Sequence, residues 1–344
     1  LPFAAGTVAG NPPAGSRAGR PEEAREDGMV NANPTRIADA VAARTPARVA
    51  RRVRGLSDAA ITWIFIAPTI VLLLAINIFP LLWTVYLSFT NYRANQPGRP
   101  IEWIGTRNYE RILSSTDVWG YLQSTAHFVV WTMLFQVAIG LGLALLINRN
   151  FRGAPFWTTV ILIPMMLSPA VVGTFWTYLY QPQTGIFSYV VNIFWNVGPI
   201  DMIGSVNLAP WSIVIVDTWM WTPYIMLLCL AGLRSIPPYL YEAAEVDRAG
   251  PFQKFWYITL PRILPFLMLA VLFRGIENFK MFDMVVELTS GGPGSTTELA
   301  SINLKREAFE NWRTGYASAF AVILFVTIFG LGNIYVKALN RVKS

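Results

Sequence analysis

IPPYLYEAAEVDRAGPFQKFWYITLP, residues 236–261, stands between two long apolar runs, yet it is charged, proline-rich and 26 residues long. A plain connection between neighbouring helices needs only a few residues. Pro237 and Pro238 suit the first turn of a helix, where a missing N–H costs little. Tyr239–Arg248 then reads as a helix, with Leu240, Ala243 and Ala244 at i, i+3 and i+4, stopped by Gly250 and Pro251. Phe252–Tyr257 starts a second short helix, which Pro261 ends as the chain returns to an apolar run. Both alanines are expected on the exposed face, where small side chains admit another surface, beside the negative charge of Glu242, Glu245 and Asp247. On physics alone, an amphipathic loop lying on a bilayer fits as well.

The surroundings of that stretch are made for lipid. Of 344 residues 54% are hydrophobic and only 14% charged, with a mean hydropathy of +0.43, whereas a soluble domain carries about 25% charged residues. Six windows have about the 20 residues that a spanning helix needs: 59–83, 126–147, 156–178, 211–233, 263–282 and 316–336. The fifth is interrupted by Arg274, Glu277 and Lys280. Trp176 and Tyr180, closing the third, fit anchors at the membrane interface. The single cysteine, Cys229, excludes a disulfide framework, and with His127 as the single histidine no metal site is expected.

Residues 1–57 are of another material, with nine arginines and no aromatic residue but Phe3. Such a composition points to a disordered or loosely helical tail, in which residues 40–54 could form a basic helix at the membrane surface and Met29 could be the start of translation. No signal peptide is expected, since no apolar core precedes Ala59. With the tail inside, eighteen of the 27 lysines and arginines fall on the inner side and seven on the outer. That bias places both termini and the 236–261 loop in the cytoplasm. The chain then divides into the tail (1–57), a first span with its outer loop (58–125), and a core of five spans (126–344). An all-α membrane protein of six transmembrane helices is the expected fold class.

Ionisable groups inside spans are costly and are functional candidates by default. In the fourth window Asp217, Met220, Trp221 and Tyr224 share one helix face, and in the fifth Arg274, Glu277, Asn278 and Met281 repeat the spacing. Carboxylates and amides can bind paired hydroxyls, and aromatic faces can cover C–H surfaces, so the mixture suits a sugar or polyol. Equally, Arg274, Glu277 and Lys280 could neutralise one another along the helix; Asp217 has no such local partner. No nucleophile–base pair is apparent, and GGPGSTT at 291–297 lacks the lysine of a phosphate-binding loop. This chain is therefore expected not to be an enzyme.

EAAEVDRAGPFQKFWYITLP resembles the EAA loop of permease subunits in binding-protein-dependent ABC importers: Glu242, Ala243, Ala244, Ile258, Leu260 and Pro261 fit its pattern, while Arg248 stands at its glycine position and Gly250 is expected to supply the turn. FKMFDMVVELTSGGPGSTT, 279–297, is similar to the carbohydrate-importer permeases of the maltose-transporter type, and the likeness covers roughly residues 60–340. The resemblance implies a type I importer permease whose loop is a coupling helix. Glu242, Ala243, Ala244, Asp247, Arg248, Gly250, Leu260 and Pro261 would then dock on an ATPase subunit and transmit its closure to the spans. It implies that Asp217, Met220, Trp221, Tyr224, Arg274, Glu277, Asn278 and Met281 line a midmembrane site. Their charges would suit a cargo other than a plain maltooligosaccharide, such as a polyol, a smaller sugar or a zwitterionic glycoside.

The partners implied are a second permease in a heterodimer, two ATP-binding subunits, an extracytoplasmic solute-binding protein received by loops 84–125 and 179–210, membrane lipid, and a small-molecule sugar or polyol; no nucleic acid is expected. This chain would bind no cofactor, ATP and Mg being used by the partner ATPase. A self-sufficient channel or secondary carrier is the alternative. It would leave the EAA-type loop without a role, and no internal repeat of the carrier kind is visible.

Overall fold

The computed structural model describes residues 57–149, 151–196 and 198–343. The expected disordered tail, its basic helix at 40–54 and Met29 lie outside the described residues. Two units are distinguished, 1–66 and 67–344. Of the first only 57–66 are described, and they begin the first helix.

The helices follow in order. α1 (Asp58–Leu73) continues through a π-helical segment (Leu74–Ile78) into α2 (Phe79–Ser88). α3 (Arg107–Ser114) precedes the long α4 (Thr116–Ile147), and the short helices α5 (Ala154–Leu162) and α6 (Pro169–Leu179) come next. α7 (Ile186–Trp195) and α8 (Ala209–Arg234) lead into the polar loop, which holds α9 (Tyr239–Val246) and α10 (Pro251–Lys254). A π-helical segment (Phe255–Thr259) joins α10 to α11 (Leu260–Phe279). α12 (Asp283–Thr289), α13 (Ala300–Lys305) and α14 (Thr314–Lys343) complete the order. Among the described residues five helices are long and apolar enough to cross a membrane: Ile61–Ser88, Thr116–Ile147, Ala209–Arg234, Pro251–Phe279 and Thr314–Asn340.

Two expectations about continuity are corrected. The third window, 156–178, is not one helix but α5 and α6, separated by a 3₁₀ turn at Pro164–Met166. Pro164 and Pro169 remove two interior donors and clash with the preceding turn, so an α-helix cannot run through them. Pro261, conversely, does not end a helix, because α10, the π-helical segment and α11 form one continuous rod. The Leu260 N–H reaches back five residues to the Phe255 carbonyl. That local widening makes room for a proline ring inside a helix.

α8 is the most enclosed of the five long helices and packs against α4, α11 and α6. At Gly140 of α4 an added Cβ would lie 2.9 Å from Ile225 Cβ, so only glycine allows α4 so close to α8. Two apolar clusters share these helices. One gathers Phe128, Tyr180, Met220 and Met284; the other, nearer the polar loop, gathers Ile225, Met226, Leu233 and Ile263. Tyr180 is fully buried in the first cluster, its ring 5.2 Å from both Trp176 and Phe187. Tyr180 is therefore a core residue, with the partly buried Trp176 packed against the same cluster, and not an interface anchor: α12 and the segment after α7 cover the end of the third window.

Candidate functional site

The expected polar stripes meet between the two clusters. α8 carries Asp217 about a third of the way along its length and α11 carries Arg274, both buried. Arg274 Nη2 lies 2.5 Å from Asp217 Oδ1 and 2.7 Å from Oδ2. Gln136 of α4 completes the group: its Nε2 donates to Asp217 Oδ2 at 2.9 Å and to the Asp217 carbonyl at 3.1 Å. Its Oε1 accepts from Arg274 Nε at 3.3 Å. The guanidinium also lies over the Trp221 ring, 4.6 Å from its centroid, a contact worth about 0.5–2 kcal/mol. Three helices are thus pinned by one charge-assisted network, with its own counter-ion inside.

The structure brings Asp217, Trp221, Arg274 and Asn278 to one place. Asn278, one turn beyond Arg274, donates to Thr132 Oγ1 of α4 at 2.8 Å. Met220 and Met281 face the cluster of Phe128 and Met284, and Tyr224 packs with the cluster of Ile225. Glu277 stands apart: its carboxylate and the Lys280 ammonium pair at 2.7 Å with side chains 60% and 55% exposed. Arg274 pairs across helices with Asp217 and not along its own helix with Glu277, so the charges inside the protein cancel. Trp221 Nε1, a donor, and Asn278 Oδ1, an acceptor, are buried with no hydrogen-bond partner among the described residues. Buried polar atoms of this kind are rare unless something else satisfies them.

Gln136 and Thr132 were not anticipated, although a glutamine inside an apolar window is itself a polar signal. Also unanticipated is a cavity of about 450 Å³ between the starts of α4 and α8 and the turn before α13, lined by Asp117, Tyr121, Gln123, Ser124, His127 and Thr296. An aromatic ladder leads from it along α4: His127 and Trp131 each lie 5.2 Å from Trp211, and Trp131 lies 5.9 Å from Phe135. Spacing of four residues at 127, 131 and 135 carries that pattern in the sequence.

At the other end of α8 the polar loop is firmly built. Tyr241 Oη and Thr259 Oγ1 are 2.9 Å apart, and Lys254 pairs with Glu245 at 3.0 Å. Leu240, Tyr241, Ile258 and Leu260 pack on the cluster of Leu233 and Ile263. The loop is therefore tied by packing to α8 and α11. Its outer surface presents Tyr239, Val246, Phe252 and Tyr257, all exposed, with Glu242 and Ala243. Glu242 forms no ion pair among the described residues.

Three local expectations are corrected. Ala244 turns inward and is buried, leaving Ala243 alone on the exposed face. The first helix ends at Val246 rather than Arg248, with Asp247 as its C-cap. Arg248 itself takes the left-handed conformation at φ +56, whereas Gly250 is extended and opens α10, its N–H donating to Gln253 Oε1 at 2.8 Å. The Arg248 N–H bonds the Glu245 carbonyl at 3.0 Å and the Ala249 N–H bonds Ala244 at 2.9 Å. These two bonds complete a Schellman ending, where glycine is preferred. Arg248→Gly is expected to raise stability by about 1 kcal/mol by relieving the backbone, read as a higher Tm; an unchanged or lower Tm would mean the arginine side chain offsets the strain.

Comparisons with known proteins agree with this architecture. Residues 136–342 match the family described as "Binding-protein-dependent transport system inner membrane component". The chain is 32% identical over 281 residues to the trehalose/maltose transport system permease protein MalF of Thermococcus litoralis, covering 81% of this chain and 94% of that one. It is 30% identical over 306 residues to the trehalose transport system permease protein SugA of Mycobacterium tuberculosis, covering 88% and 94% respectively. A solved bacterial ABC transporter that imports the acidic polysaccharide alginate contains a chain of the same fold, with a TM-score of 0.72 at 20% identity, covering 83% of this chain and 96% of that one.

Proposed function

The chain belongs to the family of binding-protein-dependent transport system inner membrane components, and on that premise we propose that it carries a sugar or sugar alcohol inward between α4, α8 and α11. It is a multi-pass permease of the plasma membrane, and the self-sufficient carrier is not favoured. The observation that carries the choice of cargo is the buried donor of Trp221 and acceptor of Asn278 beside a neutral Asp217–Arg274–Gln136 network. Because the internal charges cancel, an uncharged polyhydroxylated cargo fits better than a zwitterionic glycoside. Relatives named for trehalose and maltose support the same class. The aromatic ladder at His127, Trp131 and Phe135 offers ring faces for sugar C–H surfaces on the way in.

Translocation is an alternation of access, in which helices rock as rigid bodies about the site. The 236–261 loop suits the lever: short helices, internally tied, fused by packing to the two helices that hold Asp217 and Arg274. Its exposed Tyr239, Ala243, Val246 and Phe252 would sit in a cytoplasmic ATPase subunit, which supplies the ATP and Mg chemistry. Both termini and this loop are then cytoplasmic, and the cavity near His127 opens to the side where a solute-binding protein delivers cargo. Two ATP-binding subunits and a second permease complete the assembly. Co-purification from mild detergent, with mass-spectrometric identification, is expected to return a P-loop ATPase and a second permease bearing an EAA loop. A homo-oligomer free of ATPase after gentle extraction would overturn the assignment.

A further inference from the structure

The end of the bundle remote from the 236–261 loop holds a second polar cavity, of about 250 Å³, separate from the Asp217–Arg274 network. Arg93, Arg99, Arg107, Arg111 and Arg313 line it together with Tyr92, and no carboxylate does. Among the described residues only Arg313 of these five has an acidic partner, Glu307, at 3.2 Å. Nearby carboxylates are engaged elsewhere: Glu102 accepts from Asn91 at 2.7 Å and Glu110 from Thr106 at 2.7 Å. Four exposed arginines thus line one space without a counter-ion among the described residues. Like charges gathered around one space repel unless an anion joins them.

The frame around the cavity is rigid. Buried Asn108 donates to the carbonyls of Ser88 and Thr90, both at 2.9 Å. Ser88 Oγ and Tyr109 Oη are 2.7 Å apart, and the Gly315 N–H bonds the Tyr92 carbonyl at 2.9 Å. A Cβ on Gly315 would overlap the Thr90 carbonyl, so α14 can reach this loop only through glycine. The arginines therefore stand on a fixed base and do not trail from a free loop.

Beside the cavity lies an aromatic belt. Trp103 stacks on Phe89 at 5.2 Å and lies 6.2 Å from Tyr86, which is 5.4 Å from Trp83. Trp83, Tyr86 and Trp103 are all exposed, at the end of the apolar rod formed by α1 and α2. Exposed Trp and Tyr at the end of an apolar helix mark the level of lipid headgroups. Guanidinium forks match phosphate oxygens in planar, two-point hydrogen bonds.

We infer that this cavity binds the phosphate of an anionic lipid headgroup, with the acyl chains lying against the belt of Trp83, Tyr86 and Trp103. The source could also be free phosphate, since the arginines recognise the same oxygens. The site is independent of cargo identity and of the coupling loop.

The test uses the full chain purified with its partner subunits, in lipid discs of phosphatidylcholine alone or mixed with phosphatidylglycerol, comparing wild type with Arg107→Gln/Arg111→Gln. Phosphatidylglycerol is expected to raise the wild-type Tm and to remain bound in native mass spectrometry. The affinity should fall about fivefold per arginine removed. A matching Tm rise from inorganic phosphate in phosphatidylcholine discs would assign the site to free phosphate; a rise from the lipid alone assigns it to the headgroup. Equal lipid dependence in wild type and variant overturns the inference. So does an unchanged lipid dependence accompanied by lost association with the solute-binding protein, which would give the cavity to an acidic protein segment. Should the glutamine pair fail to assemble, Arg107→Lys/Arg111→Lys keeps the charge without the fork. It must then show weaker lipid retention, and undiminished retention overturns the proposal.

Discussion

Asp217→Ala is expected to cost about 3–5 kcal/mol of stability, the range for removing one partner of a buried ion pair. The loss comes less from the bond than from what remains: a buried Arg274 guanidinium, with Gln136 and the Trp221 ring as its neighbours. Arg274→Met strands the carboxylate in the same way. Removing both leaves no stranded charge, so Asp217→Ala/Arg274→Met should be more stable than the sum of the single losses implies. Detergent unfolding of the four proteins measures this coupling, and simple additivity would show that the two side chains do not act as a pair. Asp217→Asn is the gentler probe. It keeps the shape and the Gln136 contact while unbalancing the charge of the site, and is expected to change the affinity for cargo. Unchanged uptake kinetics would confine Asp217 to holding α4, α8 and α11 together.

Glu242→Lys is expected to abolish uptake while leaving insertion and abundance in the membrane unaltered. Glu242 is exposed and unpaired among the described residues, so reversing its charge costs the fold little. Surface substitutions away from special features usually stay within about 0.5 kcal/mol. A docking surface is different, because a misplaced like charge at a protein interface costs several kcal/mol. The measurement is cargo uptake and cargo-stimulated ATPase activity in the reconstituted complex, against membrane content of the variant. Normal uptake would remove the coupling role from this loop.

How far the sequence led differs from element to element. The polar loop was legible because punctuation and composition coincide there: prolines open it, charges fill it, and apolar runs close it. Its finer turns were not. Gly250 looks like the natural left-handed residue, yet the hydrogen bonds from Arg248 and Ala249 back to Glu245 and Ala244 fix the reversal two positions earlier. The break in the third span was invisible to hydropathy, which weighs side chains and ignores missing N–H groups, although Pro164 and Pro169 stood in plain view. α10 and α11 failed in the opposite direction, since a π-helical turn absorbs Pro261 and leaves no trace in composition.

Periodicity put Asp217, Trp221, Arg274 and Asn278 on faces that meet, but it did not show the pairing across helices. Asp217 and Arg274 are 57 residues apart, and helical spacing informs only about neighbours three or four positions away. The same limit made Glu277 look like part of an internal network when it lies with Lys280 in the exposed region. Tyr180 was misjudged for a related reason. A tyrosine at the end of an apolar run belongs equally to an interface or a core, and only the arrival of Phe187 and Ser212 around it decides.

α2 packs against α14, and the Gly315–Tyr92 bond closes the first spanning rod on the last. On the ribosome this contact has an order in time. The residues of α2 enter the bilayer more than two hundred positions before their partner exists, and must persist there alone through the synthesis of every intervening helix. The rod that α2 completes suits that wait: Leu72, Leu74, Ile76, Ile78, Phe79, Leu82 and Trp83 are exposed and apolar, and Asn77 donates back to the Leu73 carbonyl at 2.9 Å, so lipid can solvate it without help. The network of Gln136, Asp217 and Arg274 has no such independence, since no member of it can be left in hydrocarbon unpaired. Assembly of the middle of the chain must therefore keep pace with translation, while its two ends meet only when the last helix is released.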